Sequence, residues 1–288
     1  MGGQLPSVAH PEFVPNPELT RDEMRTLQRE IADMAVYTDS GDASGGRRSD
    51  RRLTPPEPAA VSLDEAADLS DGVPEPSNTV SDTDHQEPVV VGIDQAFLAE
   101  RVISAAVALC GNEVVERASA VTPLKIPYIP GLLAFREGGP VLAALDQLQI
   151  SPDVLILDGS GRIHYRQAGL ATHIGVTTET PAVGVAKSLL CGVPDDSVDG
   201  RPAEWSTPIR ADSQVESADE TVIGHAYQSR QYQNSPRINP LYISPGHGLG
   251  AVRARDLVAA LCGGYKLPEP TRLADAFADE LKREFDSQ

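Results

Sequence analysis

Apolar positions along the chain follow two rhythms. In ELTRDEMRTLQREIADMAV, residues 18 to 36, they recur at Leu27, Ile31 and Met34. That spacing predicts an amphipathic helix with one face on a core. Thr20 stands at the N-cap position and Glu23 follows three residues later, the reciprocal pair of a capping box. From residue 88 the apolar residues come instead as short unbroken runs. PVVVGID (88–94) and DVLILDG (153–159) predict strands buried on both faces. PAVGVAKSLL (181–190) reads as a strand running into a turn or helix, and INPLYISPGH (238–247) as a further strand. Helices are predicted for LAERVISAAVALC (98–110), PVLAALDQLQ (140–149) and AVRARDLVAALC (251–262). After the Gly263-Gly264 stop a last helix is expected over TRLADAFADELKREF (271–285), capped by Thr271. The pattern is that of an α/β fold. Residues 192 to 236, rich in Pro and acids, receive no element.

Between the two patterned regions the composition changes. Residues 37 to 90 carry 12 acids against four Arg, with many Ser and Pro. Such a segment buries too little apolar surface to offset its ordering entropy, so 37–87 is expected to be a disordered acidic insert. Residues 1–17 are expected to be flexible, 18–36 to join the main domain as a helix, and 88–288 to form that domain.

The whole chain of 288 residues carries a net charge of −18, and only four of its 24 basic residues are lysines. An acidic, Lys-poor surface suits concentrated salt, where charge repulsion is screened within about 3 Å at 1 M. A halophilic source is therefore expected. Net charge alone does not decide the partner. No apolar run approaches the roughly 20 residues of a membrane span, and no secretory leader is evident, so a cytoplasmic protein is expected. Three dispersed cysteines fit free thiols in a reducing compartment.

Asp94 and Asp158 each close an apolar strand-like run, at the end of a strand where sites gather in open α/β sheets. Glu137 ends a third apolar segment. Carboxylates brought to one sheet edge repel each other unless a cation holds them, and Mg²⁺ takes such oxygen ligands. His247, in SPGHG between a strand and a helix, is a candidate proton carrier. Lys187, ending PAVGVAK, is a cation suited to a phosphoryl oxygen. His164 and His173 lie nine residues apart with no third nearby ligand, which is poor zinc spacing. No phosphate-loop or GxSxG pattern occurs.

The motifs PYIPGLLAFREGGP, LILDGSGRIHYRQAGLATHIGV, PAVGVAKSLL, YISPGHG and LPEPTRLAD, with VVGIDQAF before them, resemble those of endonuclease V in the same order. The resemblance covers residues 18–36 and 88–278. It implies a ribonuclease H-like mixed sheet flanked by helices. It also implies a DNA repair enzyme that uses Mg²⁺ or Mn²⁺. Such an enzyme hydrolyses the second phosphodiester bond 3′ to deoxyinosine, leaving 3′-hydroxyl and 5′-phosphate ends. By motif, Asp94, Glu137 and Asp158 resemble the family's metal-binding carboxylates. His247 is similar to its catalytic histidine and Lys187 to its phosphate-facing lysine. Tyr128, held between prolines, looks like the wedge that replaces an extruded base. Gly131, Leu133, Gly159 and Gly161 fall where the family receives hypoxanthine, with His164 nearby. Base extrusion costs a few kcal/mol, and aromatic stacking returns about 1–3 kcal/mol per base. The expected partner is DNA containing deoxyinosine. The alternatives are inosine in RNA, or a catalytically silent binder on the same scaffold. His247 is followed by Gly248-Leu249-Gly250 where the family often has Arg and then Ile-Ser, and the acidic insert has no counterpart.

Overall fold

A nine-stranded mixed sheet organises the chain. The computed structural model describes residues 8–38, 74–76, 87–216, 221–232 and 236–287, so the expectation for the insert falls almost wholly outside the described residues. The strands are β1 (Val89–Phe97), β2 (Arg101–Cys110), β3 (Glu113–Pro123), β4 (Val154–Asp158) and β5 (Ala182–Ala186). They are followed by β6 (Val193–Pro194), β7 (Ser206–Arg210), β8 (Val222–Tyr227) and β9 (Leu241–His247). Their order across the sheet is β3-β2-β1-β4-β5-β9-β8-β7-β6. Only β1, β4 and β5 run parallel to one another; every other pairing is antiparallel. Five α-helices are described: α1 (Arg21–Met34), α2 (Leu133–Leu145), α3 (Leu170–Thr178), α4 (Ala251–Ala260) and α5 (Glu269–Asp286).

Side chains alternate in direction along each strand, so parity assigns them to a face. Val89, Val91 and Ile93 of β1 join Leu155 and Leu157 of β4 in a core with Val141 and Leu145 of α2 and Ile174 of α3. Val90 of β1, Val154 and Ile156 of β4 and Val183 and Val185 of β5 meet Leu257 and Val258 of α4 on the opposite face. Asp158 and Lys187 continue that second parity by one step, and Asp94 by two steps from Val90, past Gly92.

The helix expected over 98–110 is instead the strand β2, buried from Val102 to Leu109. Both its faces are covered. Ala106 and Ala108 pack toward α2, while Val107 and Leu109 meet Leu273 and Ala274 of α5. A strand covered on both sides loses its polar alternation, and small alanines make the run read as helical. Its partner β3, and the strands β6 to β8 within the unassigned stretch, were not foreseen. α2 starts at Leu133 and contains Pro140, so the helix expected from residue 140 begins seven residues earlier and carries Glu137.

α1 begins with the expected capping box: Thr20 Oγ1 accepts from Glu23 N, and Glu23 Oε2 accepts from Thr20 N at 2.8 Å. Ile31 and Met24 are buried, whereas Met34 is exposed. Residues 8–17, expected to be flexible, are packed in place. The backbone N–H groups of Ala9 and His10 both donate to Thr177 O, and Phe13 is buried with its carbonyl accepting from His173 Nε2 at 2.7 Å. Thr271 does not cap α5, because Pro268 holds that position and the Thr271 hydroxyl donates back to its carbonyl at 3.1 Å. A Cβ on Gly92 would stand 2.0 Å from Pro270 O, so glycine is what lets the start of α5 lie on β1.

Candidate active site

The parallel strands set up the site. Ile93 of β1 is paired with Leu157 of β4, and Asp158 with Val185 of β5. Asp94 and Asp158 are therefore neighbours on adjacent strands, about 5 Å apart in the pairing direction, and Lys187 follows the end of β5, two residues beyond the partner of Asp158. All three point to the α4/α5 face. Glu137 comes over the edge from α2, where its carbonyl accepts from Gln95 Nε2 at 3.3 Å.

These groups bear on each other electrostatically. Burial, then the Asp158 charge, pushes the Asp94 carboxyl up to about 8, against the backbone N–H of Gln95 and the charge of Lys187. Asp94 Oδ1 accepts that N–H at 2.7 Å, while Oδ2 is buried with no partner. Glu137 is pushed up to about 7, first by burial, opposed by Arg136 and assisted by Asp158. Lys187 Nζ donates to Asp158 Oδ2 at 2.8 Å. Burial alone lowers the Lys187 pKa, yet Asp158, with Asp94 and Asp275, outweighs it and holds the ammonium charged. Among the described residues no three acids already stand gathered at coordinating spacing; the lysine occupies one oxygen of Asp158 instead. An orphaned carboxylate oxygen, hard donors and mutual repulsion fit a divalent cation.

Asp275 was missed by sequence reasoning. It lies on α5, one turn beyond the buried Thr271, and its charge acts on both Asp94 and Lys187. The available signal was its place in LPEPTRLAD, on the helix that Gly92 admits to the sheet. Lys266 was also missed, and its pKa is lowered first by burial and then by the Lys187 charge.

His247 does not join this group. It pairs with Ala182 at the start of β5, whereas Asp158 pairs with Val185 near its end. That separation is about 10 Å along the strand, with two strands crossed as well. β9 runs antiparallel to β5, so the end of β9 is the wrong edge of the sheet. There His247 Nδ1 accepts from Val36 N at 3.4 Å, and burial lowers its pKa against the pull of Glu179. Gly248, with φ +70°, donates its N–H to Val36 O at 2.8 Å, closing the same strap.

Of the residues expected at the base, His164 and Gly131 meet directly, at the carbonyl of Gly131. It accepts from His164 Nε2 at 3.2 Å, Arg166 Nη2 at 2.8 Å and Gln28 Nε2 at 3.1 Å. His164 Nδ1 accepts from Arg166 N at 3.2 Å, so Nε2 carries the proton. Burial, helped by Arg166, drives this histidine down to about 3 and keeps it neutral. Gly131 has φ +75°, a left-handed turn in the loop that leads into Leu133 and α2. Tyr128 on that loop is 64% exposed, free to meet a ligand. Gly159 and Gly161 follow Asp158 directly; a Cβ on Gly161 would stand 2.4 Å from Pro245 O.

A mixed sheet with parallel strands at its centre, acids at their ends and helices on both faces fits a ribonuclease H-like fold. The Endonuclease V family profile matches residues 75–276. Endonuclease V of Natronomonas pharaonis is 52% identical over 278 residues, covering 96% of this chain and 98% of its own. That of Haloarcula marismortui is 51% identical over 94% of this chain and 96% of its own. Both come from halophilic archaea, in keeping with the acidic, Lys-poor composition. Among solved structures, the catalytic domain of human Endonuclease V is 28% identical with a TM-score of 0.68, covering 94% of this chain and 99% of that one. The chain belongs to the endonuclease V family, and it is a nuclease.

Proposed function

We propose that this nuclease recognises deoxyinosine in DNA and hydrolyses the second phosphodiester bond 3′ to it, leaving 3′-hydroxyl and 5′-phosphate ends. The observation that carries the reading is the meeting of Asp94 and Asp158 at the ends of the paired strands β1 and β4, with Lys187 Nζ on Asp158 and Glu137 on the adjoining helix α2. The solved Ciona intestinalis Endonuclease V holds DNA containing an inosine followed by a ribo-adenosine, and this chain shares its fold at 23% identity and a TM-score of 0.64.

Asp94, Asp158 and Glu137 are the residues that would hold a divalent cation, Mg²⁺ or in its place Mn²⁺, with Asp275 at the rim. Such an ion supplies Lewis acidity to the phosphoryl oxygens and neutralises developing charge. The protein's own groups do the rest. Lys187, released from Asp158, turns its ammonium to the scissile phosphate. Tyr128 fills the stack that the extruded base leaves. Gly131, Leu133, Gly159 and Gly161 offer backbone to the base, with neutral His164 and Arg166 fixing the carbonyl of Gly131. His247 has no part in the chemistry.

An end-labelled duplex with one deoxyinosine tests this. With Mg²⁺ the wild type is expected to give a single nick one nucleotide beyond the lesion, and Asp94→Ala and Asp158→Ala to give none. Unimpaired nicking by both variants, or equal nicking of an adenine control, sinks the reading. An inosine-containing RNA run alongside decides between the two nucleic acids, since only RNA offers a 2′-hydroxyl.

A further inference from the structure

Beside the carboxylates, and unused by the chemistry above, lies a cavity of about 280 Å³ whose walls include Pro15, Pro17, Thr122, Lys125, Arg136 and Pro140. Strand register places it. Thr122 of β3 and Phe97 of β1 both pair with Val102 of β2, and Phe97 is three residues past Asp94. The Arg136 guanidinium lies over the Phe97 ring, 4.9 Å from its centroid, and the next residue is Glu137. The cavity is thus at the carboxylate edge, and the loop leaving it at Lys125 carries Tyr128.

Two polar atoms of its lining, Thr122 Oγ1 and Arg136 Nε, are buried without a hydrogen-bond partner. A buried donor left unpaired costs about 1–3 kcal/mol, so the pair marks a place where acceptors are wanted. The Lys125 ammonium is a third donor. The chain has 42 acids and only four lysines, yet this lining contains one of the lysines and no acid. Three donors set among prolines, Ile126 and Phe135 suit an anion joined to an apolar body. The volume is just below that of small-ligand sites, roughly 300–1,000 Å³, enough for one unit of a polymer and no more.

We propose that this cavity holds one sugar-phosphate unit of the cleaved strand, outside the scissile bond, with Thr122, Lys125 and Arg136 donating to its phosphate. The proposal rests on the nuclease reading above and adds a binding subsite to it. It also accounts for how so acidic a chain grips a polyanion in strong salt. Exposed charges such as Lys125 are screened within about 3 Å at 1 M, whereas the recessed Arg136 and Thr122 donors are screened far less.

The test compares wild type, Thr122→Val and Lys125→Ala on a deoxyinosine duplex, and on duplexes each carrying one neutral methylphosphonate linkage. Thr122→Val keeps the side-chain shape and suits a strand, and Lys125 is exposed, so both variants are expected to fold. Each is expected to raise KM about three- to tenfold at unchanged kcat, the loss of about one net hydrogen bond. At one linkage the methylphosphonate should cost the wild type the same factor and the variants nothing more. Wild-type KM in both variants, or losses that add at every linkage, overturns the subsite while leaving the nuclease reading intact. A wild type that nicks no deoxyinosine strand removes the deoxyinosine reading, and the subsite with it.

Discussion

Replacing Asp94 by Asn should make the cation-free protein more stable while abolishing cleavage. The side chain is 8% exposed, and its carboxyl pKa is raised from 3.8 to about 8, mainly by burial and then by Asp158. A carboxyl raised in the folded state destabilises the fold above its unfolded pKa, because folding must then carry a proton or a repelled charge. At pH 7 the gap from 3.8 is about three units, or about 4 kcal/mol at 1.36 kcal/mol per unit. Since part of such a cost is relieved by local adjustment, the relief expected from Asn is about 2–4 kcal/mol. Asn keeps the acceptor for Gln95 N. For a chain of this size the gain is a rise of roughly 5–15 °C in melting temperature. Calorimetry at fixed high salt, in chelator, from pH 4 to 8 is the assay. The advantage of the variant should be near zero around pH 4, grow as pH rises, and level off near 8. Divalent cation should raise the wild-type melting temperature and narrow the difference. A variant no more stable than wild type at pH 8, or an advantage that does not change with pH, refutes the reasoning.

Other substitutions probe separate parts of the account. Tyr128→Ala should weaken binding of a deoxyinosine duplex by about 1–3 kcal/mol with little effect on an unmodified one, measured by fluorescence anisotropy. His247→Ala should leave kcat within about threefold and lower stability by about 1 kcal/mol, from loss of the Val36 contact; a hundredfold loss of kcat with an intact fold contradicts its placement. Gly92→Ala should destabilise by about 3 kcal/mol or more, since its Cβ meets backbone at Pro270. A normal melting temperature in that variant would show that α5 does not lie on β1 as described.

Much of the site was legible because burial writes itself into the strands that carry it. Val89 to Asp94 and Val154 to Asp158 are unbroken apolar runs that end abruptly in acid, and a parallel pair brings such ends together. The same burial hid β2, whose alanines and doubly covered faces mimic a helix. Strand direction is not written in a single strand. INPLYISPGH announced a strand ending in histidine, but only its antiparallel pairing with β5 reveals that His247 faces the opposite edge. Asp275 was silent for another reason: it is exposed, and its meaning depends on α5 crossing β1 at Gly92. Glu137 was placed with its partners despite being assigned to the end of an apolar segment. The helix that holds it runs unbroken through Gly138, Gly139 and Pro140, residues that ordinarily mark a turn.

The central claim is that acids from β1, β4 and α2 share one divalent cation. Calorimetric titration of Mn²⁺ into wild type, Asp94→Ala, Asp158→Ala and His247→Ala tests it most directly. The account predicts that wild type and His247→Ala bind one ion with similar affinity, and that each aspartate variant weakens binding at least about tenfold. Equal binding by all four proteins, or loss confined to His247→Ala, would contradict it.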